Sequence, residues 1–189
     1  MTMSLVPPLT PPYEPDTEAM LKRWMPPGAP FEPLALFRSL ARNDGLMTAM
    51  RGLGSYFLGP KSILSVRFRE MLILRTCAKA ACEYEWGVHV TAFAREASLS
   101  TVDIQELTFG ASESPHWPAP EQAILSACDQ LMETATIAPA VREKLKAHFD
   151  EATILAIICL VGWYRLIAGL ANTVCEQGEP WADTFAAYR

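Results

Sequence analysis

No stretch of this chain alternates apolar and polar residues for long enough to form a β-strand. Apolar residues instead recur at intervals of three and four, which is the spacing of one face of an α-helix. From Leu34 onwards such segments follow one another, separated by glycine, proline or helix-capping residues. The sequence therefore predicts an all-α protein, a compact bundle of about seven or eight helices.

The first 33 residues differ from the rest, because they contain nine of the fifteen prolines. Proline interrupts helices, so only a short helix over residues 16–24 is expected there. We therefore divide the chain into a proline-rich arm, residues 1–33, and a single all-α domain, residues 34–189. The arm is expected to lie on the surface of the protein or on a neighbouring subunit.

Composition restricts the partners that the protein could have. Half of the 189 residues are apolar and a fifth are charged, as in ordered globular proteins. The net charge is −5 and no basic cluster is present, which argues against nucleic acid or an anionic membrane as the main partner. Five cysteines in a chain large enough to fold without disulfides indicate free thiols, so a cytoplasmic location is expected.

One apolar segment, residues 154–174, raises the question of a membrane span. Arg165 and Asn172 lie within it, and a charge near the centre of a bilayer is costly. We therefore expect a central helix buried in the protein on nearly all sides, and no membrane contact.

The stretch from Glu70 to His89 concentrates the chemically reactive side chains. Because residues 65–86 contain no glycine or proline, they could form one helix, with Glu70 and Cys82 about 18 Å apart along it. The two could cooperate only if the chain turns between them, so we predict a break at residues 80–83. Cys82 would then start a new helix and share one stripe of it with Glu85 and His89.

Each of these residue types has a possible role in chemistry. Cys82 could act as a nucleophile, and His89 could transfer protons near neutral pH. Glu70 and Glu85 beside one imidazole could have different pKa values, so that one of them keeps its proton. The structural alternatives are a buried cysteine, a hydrogen-bonded core histidine, and carboxylates paired with Arg67 or Arg165.

Two further possibilities concern what the site holds. Trp86 and Phe93 flank the stripe and could form the apolar walls of a pocket for a small organic substrate. Glu70, Glu85 and His89 could also offer a metal two carboxylates and one imidazole. That spacing is common on helices, so neither a metal nor another cofactor is expected.

The order Glu70, Cys82, Glu85, His89, with the phrase CEYEWGVH, resembles the carboxymuconolactone decarboxylase-like family. Its best-known peroxidase branch is alkyl hydroperoxidase D. The later segment GWYRLIAGLAN is similar to that family's closing helix, so the resemblance covers about residues 34–178. It implies an alkyl hydroperoxidase D-like fold and assembly into homo-oligomers, either trimers or hexamers, with the site near subunit contacts.

The resemblance departs from the peroxidase branch at one position. That branch uses a Cys-x-x-Cys pair in which the second thiol attacks the peroxide, and Glu85 occupies that position here. Cys82 matches the resolving cysteine, so a peroxidase reaction would require another way back from the sulfenic acid, such as an external thiol. The decarboxylase branch needs neither a thiol nor a cofactor.

Three functions follow as expectations. The first is thiol-dependent reduction of organic hydroperoxides by Cys82, assisted by Glu70, Glu85 and His89. The second is a cofactor-free decarboxylase or lactone-processing enzyme with Glu85 and His89 as acid and base. The third is a non-catalytic oligomeric scaffold that retains the fold.

Overall fold

The computed structural model describes residues 4–26, 28–29 and 31–189. This part of the chain forms nine α-helices and a short 3₁₀ helix, without strands. The α-helices are α1 (Pro15–Trp24), α2 (Ala35–Leu40), α3 (Asp44–Leu58), α4 (Val66–Lys79), α5 (Glu83–Phe93), α6 (Thr101–Phe109), α7 (Ala119–Thr134), α8 (Pro139–Lys146) and α9 (Glu151–Val174), and the 3₁₀ helix is Phe185–Tyr188. The all-α prediction is confirmed, although the helices outnumber the predicted seven or eight because the arm contributes one of its own.

Helix α4 is the centre of the bundle, packed against α5, α6, α7 and α9. Its residues from Arg69 to Cys77 are all buried, including two arginines and a glutamate. A buried charge needs a partner inside the protein. Arg75 finds its partner in Asp129 of α7, with two bonds of 2.7 Å, and Arg69 finds its partner in Glu70, 2.6 Å away.

Helix α9 packs against α4, α7 and α5, as expected of a central helix. By length and composition it could also cross a membrane, and within the described residues it alone passes that test. Half of its most apolar 18-residue window is buried inside the protein. Its other face is exposed and carries Leu155 and Leu166, so α9 is less enclosed than the sequence predicted.

Several helix ends lie where the capping residues predict them. The side chains of Ser65 and Asp150 accept backbone N–H bonds at the starts of α4 and α9. Ser100 and Asp103 form a reciprocal capping box at the start of α6. Helix α5 ends at Phe93, and a left-handed Ser98 terminates the turn that follows it.

The predicted break between Glu70 and Cys82 is present. Helix α4 ends at Lys79, α5 begins at Glu83, and Cys82 is the N-cap residue of α5. Ala81 adopts the left-handed conformation, with φ 49°, and reverses the chain at this point. The corner lets α5 fold back along α4, which brings His89 beside Glu70.

The described part of the arm lies on the chain's own helices. Leu21 of α1 is fully buried. Arg38 of α2 donates 2.9 Å bonds to the Leu9 and Pro33 carbonyls, and Ser4 donates to the Val174 carbonyl at 2.8 Å. Residues 1–3, Pro27 and Pro30 of the predicted arm lie outside the described residues.

Candidate active site

A buried hydrogen-bonded chain connects three helices around His89. Glu70 of α4 accepts a bond from Arg69 on one oxygen, and its other oxygen is 2.7 Å from His89 Nδ1. On the far side of the imidazole, the Tyr164 hydroxyl of α9 is 3.0 Å from Nε2. Glu70, His89 and Tyr164 are all buried, so these bonds are shielded from water.

The direction of these bonds follows from their partners. Burial, together with the nearby Glu85 and Glu70 carboxylates, raises the pKa of Tyr164, so its hydroxyl keeps its proton. Tyr164 can therefore donate to Nε2, while Nδ1–H donates to the Glu70 carboxylate that Arg69 neutralises. When the bonds run in these directions, Nε2 is the ring nitrogen that carries the lone pair.

Glu85 lies one helical turn before His89 on α5. Its Oε2 atom is 3.9 Å from His89 Nε2, and its buried Oε1 atom has no hydrogen-bond partner. Burial raises the pKa of Glu85; His89 opposes that shift, and the Glu179 carboxylate adds to it. A carboxyl group whose pKa is raised, next to an imidazole, can act with it as an acid–base pair.

Glu85, His89 and Tyr164 line a cavity of about 430 Å³. Its walls are largely apolar and aromatic, and come from the arm, α2, α3, α5, α9 and the C-terminal tail. The residues that matter for its chemistry and shape are Trp24, Phe31, Phe93, Trp163, Ile167 and Trp181, with Arg23 and Arg51 as cations. Such a cavity suits a small organic molecule with an apolar body.

Cys82 does not line this cavity. Its side chain is fully buried at the corner between α4 and α5, beside Cys77. The Cys77 thiol, by hydrogen bonding to it, lowers the pKa of Cys82, and the backbone N–H groups of Glu85 and Tyr84 act in the same direction. Burial and the Glu85 carboxylate oppose these effects. The stripe predicted from the sequence is therefore divided, with Glu85 and His89 towards the cavity and Cys82 behind it.

The two predicted pocket residues are placed differently. Phe93 lines the cavity, with its ring centroid 5.2 Å from that of His89 and the Arg69 guanidinium 5.3 Å from it. Trp86 does not line it, which corrects the prediction. The Trp86 indole donates to Thr108 and packs against Phe185 of the C-terminal tail, on another side of α5.

The expected arginine partners were also wrong. Arg67 pairs with Glu121 at 2.7 Å, and Arg165 donates to the Leu131 carbonyl at 3.2 Å. Glu70 pairs instead with Arg69, its neighbour in the sequence, and Tyr164 is a second site residue that the spacing did not indicate. A signal for Arg69 existed, since a buried carboxylate on α4 requires a nearby cation.

A metal site is not favoured by this arrangement. The described residues contain no group of three or more histidine, cysteine, aspartate or glutamate side chains arranged to hold a metal ion. Glu70 uses both of its oxygens for Arg69 and His89.

Comparisons with known proteins agree on the fold. A peroxidase-related protein from Ralstonia eutropha, described as an alkylhydroperoxidase AhpD core, has 18% identity and a TM-score of 0.76, over 93% of both chains. An uncharacterized peroxidase-related protein from Silicibacter has 16% identity and a TM-score of 0.77, over 95% of both. The debrominase Bmp8, as a cysteine-to-alanine variant with 2,3,4-tribromopyrrole, has 15% identity and a TM-score of 0.75, over 94% of this chain and 93% of that one.

Identities this low show a shared fold and leave the reaction open. A comparison with curated protein sequences gave no significant match. The family model of the carboxymuconolactone decarboxylase family matches residues 44–129, which include Glu70, Cys82, Glu85 and His89. The chain is therefore similar to this family over residues 44–129, and it shares the all-helical fold of these solved structures.

Proposed function

We propose that this protein is an enzyme that transfers protons to and from a small, largely apolar organic acid or lactone, with Glu85 and His89 as acid and base. The observation that supports this most directly is the unpaired Glu85 carboxyl beside His89 in the wall of the cavity. The expected reactions are decarboxylation or lactone processing, and the family match supports that class.

The geometry allows each residue a defined step. Glu70 fixes the His89 ring through Nδ1, so Nε2 can take a proton from the substrate. Burial raises the pKa of Glu85, which favours its protonated form, and its proton can be delivered to the carbon that loses carboxylate or to a leaving oxygen. Tyr164 can donate to substrate oxygen when Nε2 becomes protonated. Arg23 and Arg51 in the cavity lining suit a substrate carboxylate.

The test is an assay of carbon dioxide release and lactone loss with a panel of β-keto acids and unsaturated lactone acids. His89→Ala and Glu85→Gln should each lower kcat/KM by about 10²–10⁴-fold, the usual contribution of a positioned acid or base. Cys82→Ser should hardly change it. His148→Ala is the matched control, because His148 is exposed and lies just after α8. This substitution should also leave kcat/KM unchanged.

The outcomes separate this function from the others. Activity that survives in both Glu85→Gln and His89→Ala would contradict the proposal. Loss of activity in Cys82→Ser with retention in Glu85→Gln would favour thiol chemistry. No turnover of the panel by the folded wild-type protein would also count against this substrate class.

Thiol-dependent reduction of organic hydroperoxides remains a second candidate. The position of Cys82 at the start of α5, where its pKa is lowered, favours it. It ranks second because the sulfur is fully buried and does not line the cavity. Loss of peroxide turnover in Cys82→Ser, with the fold intact and an external thiol as reductant, would support it, and unchanged turnover would exclude a role for Cys82.

A further inference from the structure

The corner between α4 and α5 is a hydrogen-bonded helix ending of the Schellman type. The Cys82 N–H bonds to the Cys77 carbonyl at 2.8 Å, and the Ala81 N–H bonds to the Ala78 carbonyl at 3.0 Å. Ala81 supplies the left-handed conformation that this ending requires. In such an ending, the side chains at the two ends of the longer bond characteristically touch. Here those two side chains are both cysteines.

The two thiols lie fully buried at the two ends of this corner and differ in acidity. The contact with Cys77 lowers the pKa of Cys82, and the same contact, with burial, raises the pKa of Cys77. Cys82 is also the N-cap residue of the eleven-residue helix α5, where backbone N–H groups stabilise a thiolate. One sulfur is therefore suited to attack, and the other holds a proton beside it.

The other buried or half-buried cysteines differ from this pair. Burial raises the pKa of Cys128 to about 12, and Cys128 is hydrogen-bonded to Thr76. Burial also raises the pKa of Cys175 to about 12. Both remain thiols near neutral pH, so the asymmetry needed for redox chemistry is found at Cys77 and Cys82.

We propose that Cys77 and Cys82 form a two-thiol redox centre that closes a reversible disulfide at this corner when a small hydroperoxide oxidises it. The sulfur of Cys82, as thiolate, attacks the terminal peroxide oxygen; the S–O bond forms, the O–O bond breaks, and the alkoxide takes a proton to leave as alcohol. The sulfur is oxidised by two electrons and the peroxide is reduced. The proposal rests on the second candidate function for this first step only.

The second step uses the contact between the two sulfurs. Cys77 attacks the sulfenic sulfur of Cys82, the S–S bond forms, and the S–O bond breaks with release of hydroxide, which takes the Cys77 proton to become water. The Schellman bond already holds this six-residue loop closed, so little chain movement is required. Capture by an adjacent buried thiol also protects the sulfenic acid from a second peroxide.

The sequence makes the product easy to identify. Trypsin cuts after Arg75, Lys79 and Arg95, which separates Cys77 in peptide 76–79 from Cys82 in peptide 80–95. The reduced, folded full-length protein is treated with one equivalent of tert-butyl hydroperoxide, unfolded in N-ethylmaleimide, digested and analysed by mass spectrometry. We expect a linked 76–79/80–95 species that disappears after dithiothreitol.

Variants test the order of the steps. Cys77→Ser should leave Cys82 as a sulfenic acid that dimedone labels, whereas Cys82→Ser should leave Cys77 alkylated. Cys175→Ser is the matched control and should still give the linked peptides. The wild-type digest is decisive even if one variant fails to fold.

The outcomes distinguish the pairing from the thiol function. Dimedone-labelled Cys82 in the wild-type protein, without the link, overturns the pairing and leaves the second candidate standing. Both peptides alkylated in full, while the exposed Cys159 is oxidised in the same sample, overturns both. A link of Cys82 to Cys175 instead would overturn the assignment of Cys77.

Discussion

Glu85 is the residue whose environment most clearly predicts a measurable property. Burial raises its pKa in the folded protein above the ordinary value of 4.5. A raised pKa means that the folded state binds the proton more tightly than the unfolded state. The contribution of Glu85 to the free energy of unfolding is therefore fully present at pH values below its pKa in the unfolded chain. That contribution is lost as pH rises through its pKa in the folded protein.

We expect Glu85→Gln to become progressively more stable than wild type as pH rises from about 4 to 8. The difference should grow by about 1.4 kcal/mol for each unit by which the pKa is raised. Urea unfolding across this range measures it. Glu143→Gln, at an exposed position of α8, should show no such trend. A difference that stays constant with pH would mean that Glu85 is not buried as a protonated acid.

At the residue scale, the sequence predicts only some of the residues of the site. Glu70, Glu85 and His89 could be grouped because helical spacing and one break place them together. Tyr164 could not be added, since a contact between positions 164 and 89 depends on how α9 packs against α5. The orientation of Cys82 away from the cavity also depends on the detailed geometry of the corner.

At the scale of elements, the corner between α4 and α5 carries a local strain. Ala81 is held at φ 49°, where a side chain costs about 1–2 kcal/mol and glycine costs nothing comparable. Ala81→Gly should stabilise the protein by about 0.5–1 kcal/mol, because part of the gain is offset by the larger entropy of glycine in the unfolded chain. The midpoint of thermal or urea unfolding checks this.

The neighbouring Ala80 provides the control for that prediction. It has φ −85°, which an alanine adopts without strain. Ala80→Gly should therefore destabilise the protein, by about 0.5 kcal/mol or more. If both glycine substitutions changed stability in the same direction, the backbone conformation assigned to Ala81 would be contradicted.

At the scale of the whole molecule, the two ends of the chain complete the site. Phe31 of the arm and Trp181 of the C-terminal tail stack with ring centroids 4.6 Å apart, and both line the cavity. The tail is tied to α5 by bonds from the Asp183 N–H to Thr91 and from the Phe185 N–H to Glu83. Assembly into trimers or hexamers and a cytoplasmic location remain predictions.

Gly87 permits the tail to approach α5. A Cβ atom at this position would overlap the backbone carbonyl of Asp183, so the tail would have to move. We expect Gly87→Ala to release the tail, which would speed chymotrypsin cleavage near Trp181 and Phe185 by about tenfold, since about 1.4 kcal/mol of lost docking suffices for that factor. Mass spectrometry of the cleaved chain measures the rate.

Gly162 is the matched control, because a Cβ atom there meets nothing within 4 Å. Gly162→Ala, inside α9, should raise stability by up to about 1 kcal/mol and leave the cleavage rate near wild type. Equal cleavage rates for Gly87→Ala and the wild-type protein would show that the tail does not depend on this close approach.

The sequence by itself determined the helices, most of their caps and the turn before Cys82. These depend on apolar spacing and on hydrogen bonds between residues a few positions apart, so their causes are local. Only the tertiary structure decided that Glu85 and His89 face the cavity while Cys82 lies beside Cys77. It also decided that Tyr164 is the second hydrogen-bond partner of the His89 imidazole and that Trp86 packs against the C-terminal tail. Those choices follow from burial and partner geometry between residues far apart in the chain, which spacing alone does not specify.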